Sequence, residues 1–392
     1  MKMINNLGEK YSPFYYLASL GAGGMSVSFF IYLMFMIPHP DTPLVTFNHI
    51  FPYITEMNFI SLLIVIDILA IIYFAFLHFR ILLWNIKEYK AFKKTEAFMA
   101  LKTSNAEVSL MAIPLTYAMT INVLFVLGAV FVPGLWSVVE YMFPLALLGF
   151  LAVGIYALKI FGDYFVRIII NGDFDFVSNN NLSQMISIFA FSMIAVGFAA
   201  PGAMSHYMAV SAFGLFCSMF FAVIAASLAL VKIILGIKSI LKQGISKEAS
   251  VSLWIMIPIL TLLGITGVRM TFGFSHGFTN EEPSTAWLFI LTSAILSLQL
   301  MFGYVGYLVM KRVGYFKHYI NGDEKKPSSF AIVCPGVAFF VFGMFFIFFG
   351  LVQTGVLPKF SIIYFILLAP FTYVQIKTVL VILKLNKKLL KA

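Results

Sequence analysis

Ten long apolar stretches divide this chain, near residues 14–37, 58–84, 108–131, 138–162, 183–203, 207–235, 251–272, 285–310, 329–352 and 360–384. A helix needs about 20 residues to cross the hydrocarbon layer, and most of these stretches reach that length. Of the 392 residues, 61% are hydrophobic and 11% charged, whereas soluble domains carry roughly 25% charged residues. A water-soluble fold cannot hide that much apolar surface, so the solvent of this chain is lipid. Within lipid each backbone polar group must be satisfied inside its own segment. The expectation is therefore an all-α polytopic membrane protein forming a single transmembrane domain over 1–392. The opening, MKMINNLGEKYSPFYY, is polar, and the first apolar run is long and lacks a small-residue cleavage site, so it reads as a span and not a leader. Cys217 and Cys334 both fall inside apolar runs, which argues against a disulfide framework or a thiolate metal cage.

Charge placement tests the count independently. If the ten runs cross alternately, one side collects Lys2, Lys10, the Lys87–Lys102 cluster, Lys159, Arg167, Lys232–Lys247, Lys311–Lys326 and Lys384–Lys391. The connections on the other side, 38–57, 132–137, 204–206, 273–284 and 353–359, hold one basic residue, Lys359. Cytoplasmic loops concentrate Lys and Arg, so both termini are expected in the cytoplasm of a multi-pass protein of the cytoplasmic membrane. The net charge of +10 is thereby explained by topology, without a nucleic-acid partner.

Two segments repeat one phrase: YFVRIIINGD at 164–173 and YFKHYINGD at 315–323. Both follow even-numbered runs on the basic side, and Asn-Gly tolerates positive φ. An internal repeat follows, with approximate helical hairpins at 12–86, 107–163, 182–236, 250–311 and 328–386. The odd-numbered helices carry prolines (Pro114, Pro258, Pro335) or glycines (Gly21, Gly23, Gly24, Gly197), and the even ones are mostly aliphatic. Proline removes a backbone donor and bends a helix; in lipid the freed carbonyl must meet protein or water. Five bent inner helices shielded by five straight outer ones is the expected arrangement.

The segments AIPLTYAM (112–119), MIPILTLLG (256–264) and FAIVCPG (330–336) resemble the third, seventh and ninth helices of the tellurite-resistance/dicarboxylate transporter family, which includes bacterial TehA and the plant slow anion channels. The resemblance implies five helical hairpins in a quasi-fivefold arrangement, a central pore lined by odd-numbered helices, small anions as cargo and a homotrimer. The family's pore-plugging phenylalanine falls on Cys334 here, so Phe330 or Phe339 is expected to gate beside it.

Kink and pore-lining candidates are Gly23, Pro114, Thr116, Thr120, Ser192, Pro258, Thr261, Cys334 and Pro335, with Ser19, Ser26, Asn122 and Thr266 as further polar positions. Hydroxyls and basic groups stabilise a passing anion, although a lone Ser or Thr in such a helix commonly bonds its own i−4 carbonyl. Arg269 is the one basic residue on the outer half of an odd helix, and reads as an anion attractor or as an interface anchor. Asp67 and Glu140 read as proton carriers or as structural partners. His39, His49, His206 and His276 gather on the outer side without metal-ligand spacing, and no P-loop, dinucleotide fingerprint or catalytic triad is present. The expectation is a non-enzymatic, cofactor-free anion channel or transporter embedded in the bilayer; a proton-coupled anion carrier and a quinone-interacting anchor of a respiratory complex remain alternatives.

Overall fold

The computed structural model describes residues 3–172, 181–279 and 281–392; Lys2 and Asp173 lie outside them. Among the described residues, ten helices are long and apolar enough to cross a membrane. Among the described residues there is no strand, only an isolated bridge between Met3 and Lys391. The helices are α1 (Tyr16–Met36), α2 (Phe47–Thr55), α3 (Phe59–Phe92), α4 (Glu96–Lys102), α5 (Ala112–Phe131) and α6 (Leu135–Asn171). They continue with α7 (Ile186–Met204), α8 (Met208–Gln243), α9 (Met256–Phe274), α10 (Thr285–Val313), α11 (Val333–Phe345) and α12 (Ile362–Leu390). Short α2 and α4 lie in connections; the other ten are core pieces of the membrane spans.

Packing sorts these ten into two sets. Helix α1 touches α5, α5 touches α7, α7 touches α9, α9 touches α11 and α11 returns to α1, which closes a circuit of five. The remaining five lie outside: α3 packs on α1, α6 on α5 and α7, α8 on α7, α10 on α9 and α12 on α11. Burial follows. Between 61% and 94% of the most apolar window of each inner span is covered by protein, against 17% to 28% for each outer span. The outer spans turn Leu, Ile, Val and Phe side chains outward, which is stable only against hydrocarbon.

Proline placement differs from the expected kinks. Pro114, Pro258 and Pro335 are each the third residue of their α-helix and follow tighter 3-10 segments, Asn105–Met111, Ala249–Ile255 and Pro327–Ile332. The 3-10 segment runs directly into the α-helix, as where the Ala112 amide bonds back to the Ser109 carbonyl, so each proline sits where one continuous span changes its hydrogen-bond ladder. These residues mark a change of helix type rather than a mid-helix break. Helices α1 and α7 also follow 3-10 turns, Pro13–Tyr15 and Ser183–Met185, without a proline at the matching place. Conversely, two outer helices contain an internal proline, Pro144 in α6 and Pro370 in α12, so proline does not separate bent inner from straight outer helices.

The two Asn-Gly-Asp phrases also diverge. Gly172 ends α6 at φ 63°, the left-handed conformation glycine favours. In the second phrase Phe316–Asn321 forms a π-helical turn and Gly322 has φ −89°. Its glycine is required by space, since a Cβ would lie 2.7 Å from the Lys317 carbonyl oxygen. The left-handed cap of α10 is instead Gly314, φ 80°. Outer helices α3, α6 and α8 also run 8 or 9 residues beyond the apolar runs, ending at Phe92, Asn171 and Gln243; each extension carries Lys or Arg, whose long side chains favour helix and reach water.

Both termini meet at one end of the bundle. The Ile4 amide donates to the Leu390 carbonyl at 3.0 Å, Trp84 Nε1 donates to the Ile4 carbonyl, and the Glu88 carboxylate accepts from the Asn6 and Leu7 amides. At the same end Glu107, almost wholly buried, pairs with Lys102 and with Arg167 Nε at 3.0 Å, fastening α4, the start of the α5 span and α6 together. Removing one side of a buried ion cluster strands the other. Glu107→Gln is expected to cost about 3 kcal/mol, read as a lowered thermal midpoint in detergent, and an unchanged midpoint would show that the cluster adds no stability.

Candidate functional site

A cavity of about 280 Å³ opens among the first turns of the inner helices. Leu17 of α1, Ile186 and Phe189 of α7, Pro258 of α9, and Cys334 and Pro335 of α11 form its walls. Its polar lining includes Ser246, Ser252, Ser328 and Glu248. The Glu248 carboxylate accepts from Ser328 Oγ at 2.8 Å and lies 3.5 Å from Lys326 Nζ. Three residues chosen from sequence, Pro258, Cys334 and Pro335, are thus brought together on one cavity.

Helical geometry carries the site further. Residues at i, i+4, i+7 and i+11 share one helix face, so the face of α9 that lines the cavity at Pro258 continues through Leu262 and Ile265 to Arg269. Eleven residues at 1.5 Å each place Arg269 roughly 16 Å further along the helix. On α7 the same rule runs from Phe189 through Met193 to Val196. The two faces meet where expected: Arg269 Nη1 donates to the Val196 carbonyl oxygen at 2.8 Å. That bond turns the guanidinium toward α7, the neighbour of α9 in the circuit of five, and no carboxylate pairs with it among the described residues. Between cavity and cation the wall is apolar and closed, with Met193, Leu262 and Ile265 all buried.

The other candidates lie elsewhere. Thr116, Thr120, Ser192, Thr261 and Thr266 each donate to the carbonyl four residues back, so their protons are used within or between helices. Thr261 also bonds the Ala338 carbonyl and accepts from Gln299 Nε2, which makes it a joint of α9, α10 and α11. Gly23 packs against His78 and Met119; a Cβ there would lie 2.7 Å from His78 Nδ1. Pro114 is buried away from the cavity lining. Asn122 reaches Met193 Sδ at 3.5 Å, bridging α5 and α7.

The aromatic gate candidates also face away from the cavity. Phe330 packs toward Tyr15, and Phe339 lies on Phe371 of outer helix α12, with ring centres 4.9 Å apart. The rings that line the cavity are Phe189 of α7 and Phe14 in the 3-10 turn before α1, both of which sequence reasoning missed. Glu140 accepts from Ser205 Oγ, from the His206 amide and from His206 Nδ1, a structural tie between α6 and the entry to α8. Asp67 sits on α3, outside the circuit.

Histidines at the end of the bundle away from the termini form two pairs, His39 with His49 and His206 with His276, ring centres 6.0 and 5.8 Å apart. His49 Nε2 lies 2.8 Å from Asp41 Oδ1, which holds the Asp41 carboxyl below its usual range. Among the described residues no three side chains of metal-ligating type converge. His78, also missed, is fully buried between α1, α3 and α5, with Nδ1 2.8 Å from the Ser19 carbonyl and Nε2 3.0 Å from Thr120 Oγ1. In comparisons with known proteins, no family model, no curated protein and no solved structure matches the chain.

Proposed function

We propose that this multi-pass membrane protein conducts small anions passively along the axis enclosed by α1, α5, α7, α9 and α11. In this reading the inner and outer spans are five helical hairpins in quasi-fivefold order. The architecture is that of the tellurite-resistance/dicarboxylate transporter family, with both termini in the cytoplasm and a homotrimer in the cytoplasmic membrane. The observation that carries the reading is the alignment, on one face of α9, of a cavity and an arginine that has no carboxylate partner among the described residues and bonds the neighbouring inner helix α7. An anion entering the cavity passes the Glu248 carboxylate, whose charge Lys326 offsets from 3.5 Å, and meets hydroxyls and apolar walls, then the closed segment at Met193 and Leu262, then the Arg269 charge beyond it. A fixed cation favours anions without side-chain chemistry, and an apolar constriction gates by excluding water. No cofactor or nucleotide enters this mechanism.

Reconstituted protein tests it by ion-replacement electrophysiology. Anion-selective current is the expected result, and an inert bilayer, or a cation-selective one, would sink the proposal. Trimming the closed segment gives a sharper check. Met193→Ala is expected to raise the current by about an order of magnitude by widening an apolar constriction, whereas Phe339→Ala, which only loosens α11 from α12, leaves it unchanged.

A further inference from the structure

His78 is an ionisable side chain inside the apolar run of α3, fully buried, that the anion path does not use. Such a group is expensive within a membrane unless its surroundings serve it. Helices α1 and α3 are joined here without the ring: Ser26 Oγ donates to the Ile71 carbonyl at 3.0 Å, and Ser19 Oγ donates to the His78 carbonyl at 2.9 Å. The imidazole is therefore not needed to hold these two helices together. Room is made for it on α1, where a Cβ on Gly23 would lie 2.7 Å from Nδ1. Its two nitrogens meet different partners. Nδ1 lies 2.8 Å from the Ser19 carbonyl oxygen, which only accepts, so Nδ1 carries a proton. Nε2 lies 3.0 Å from Thr120 Oγ1 of α5, a hydroxyl that can donate or accept. The same hydroxyl is 2.9 Å from the Thr116 carbonyl oxygen.

We propose that His78 binds a proton at Nε2 within the membrane, with the Thr120 hydroxyl reversing to accommodate it. In the neutral ring Nε2 accepts, and Thr120 donates to it. When a proton arrives, Nε2–H donates to Thr120 Oγ1 and the Thr120 proton turns to the Thr116 carbonyl. Neither state leaves a polar atom without a partner, because the Thr116 carbonyl keeps its helical bond from the Thr120 amide when the hydroxyl turns away. No ion pair includes His78 among the described residues. The nearest titratable residues along the three helices are Tyr16 on α1, three before Ser19, Tyr117 on α5, three before Thr120, and Arg80 on α3. Arg80 projects about 200° around α3 from His78, and Tyr16 packs its ring on Tyr89 and Tyr117. The bound proton is thus served by the Ser19 and Thr120 oxygens. Its two bonds reach α1 and α5, neighbours in the inner circuit, and a charged donor strengthens both. Any effect on anion current rests on the function proposed above; the proton site does not.

Nitrogen NMR of the full chain, made with isotopically labelled histidine and reconstituted in lipid, tests the site without measuring transport. From about pH 9 to about pH 4, a range that brackets imidazole titration, the His78 ring is expected to pass reversibly from one protonated nitrogen, Nδ1, to two. His78→Gln assigns the signal by removing it. If that variant does not fold, a chain combining His39→Gln, His49→Gln, His206→Gln, His276→Gln and His318→Gln leaves His78 as the only source. Thr120→Val takes away the acceptor of Nε2–H and is expected to lower proton affinity by about tenfold, because a charged donor loses more than a neutral acceptor; Thr120→Ser is expected to restore it. A His78 ring that keeps one form over the whole range, or whose unprotonated nitrogen at alkaline pH is Nδ1, would overturn the site. An unchanged titration in Thr120→Val would overturn the part assigned to the hydroxyl. Because the readout is the ring itself, a protein that carries no anion current can still titrate at His78, and the two proposals fail separately.

Discussion

Arg269→Gln is expected to lower anion current by at least about tenfold while leaving the amount of protein in the membrane unchanged. At an effective dielectric constant near 20, a unit charge about 6 Å from a passing anion is worth roughly 3 kcal/mol, or about a hundredfold in occupancy. Screening by mobile ions reduces this, so about tenfold, roughly 1.4 kcal/mol, is a conservative figure. The fold should survive, because Arg269 has no carboxylate partner among the described residues and its one hydrogen bond goes to the Val196 carbonyl. Arg269→Lys keeps the charge and is expected to restore much of the current. If Arg269→Gln conducts like the wild type, the residue returns to a structural role, joining α9 to α7.

The second large effect falls on stability. Helices α7 and α8 cross with their backbones in contact: a Cβ on Gly214 would lie 2.9 Å from the Gly202 nitrogen and 3.0 Å from its Cα. Neither obstacle is a side chain that can swing aside. The crossing is stapled by Ser211 Oγ to the Gly202 carbonyl at 2.6 Å and by Ser218 Oγ to the Ala195 carbonyl at 2.8 Å. Small residues permit such approach between membrane helices. Gly214→Val should force α8 away from the most buried inner helix, at a cost of about 3 kcal/mol, the upper range for overpacking. Gly162→Ala in α6 is the control: a Cβ there meets nothing within 4 Å, so better helix propensity should stabilise it by up to about 1 kcal/mol. Thermal midpoints in detergent decide both, and a Gly214→Val protein as stable as the wild type would show that the helices do not touch.

Much of the architecture was legible because a few residues break a uniform background. Ten apolar runs correspond to ten membrane-length helices, and Arg269 stood out as a lone cation in an apolar span. Pro258, Pro335 and Cys334 reached the cavity, although the prolines mark junctions with 3-10 turns. The hydroxyls were harder to place. Thr116, Ser192 and Thr261 look like polar pore residues in a string of letters, yet each spends its proton on a carbonyl one turn back. Phe189 could not be singled out among 44 phenylalanines, because a helix apolar on every face has no contrast to show which side points inward.

The sequence by itself determined how many times this chain crosses lipid, since hydrocarbon demands a long apolar helix for each crossing and tolerates few charges within it. It also marked the rare ionisable side chains inside those crossings, Asp67 and Arg269 among them. Tertiary structure alone decided that Arg269 faces an inner helix while Asp67 sits on an outer one, and that Phe189 and not Phe339 lines the cavity. The reason is rotational. Turning an apolar helix about its axis changes little in its exchange with lipid, so its facing is set by contacts with neighbouring helices far away in the chain.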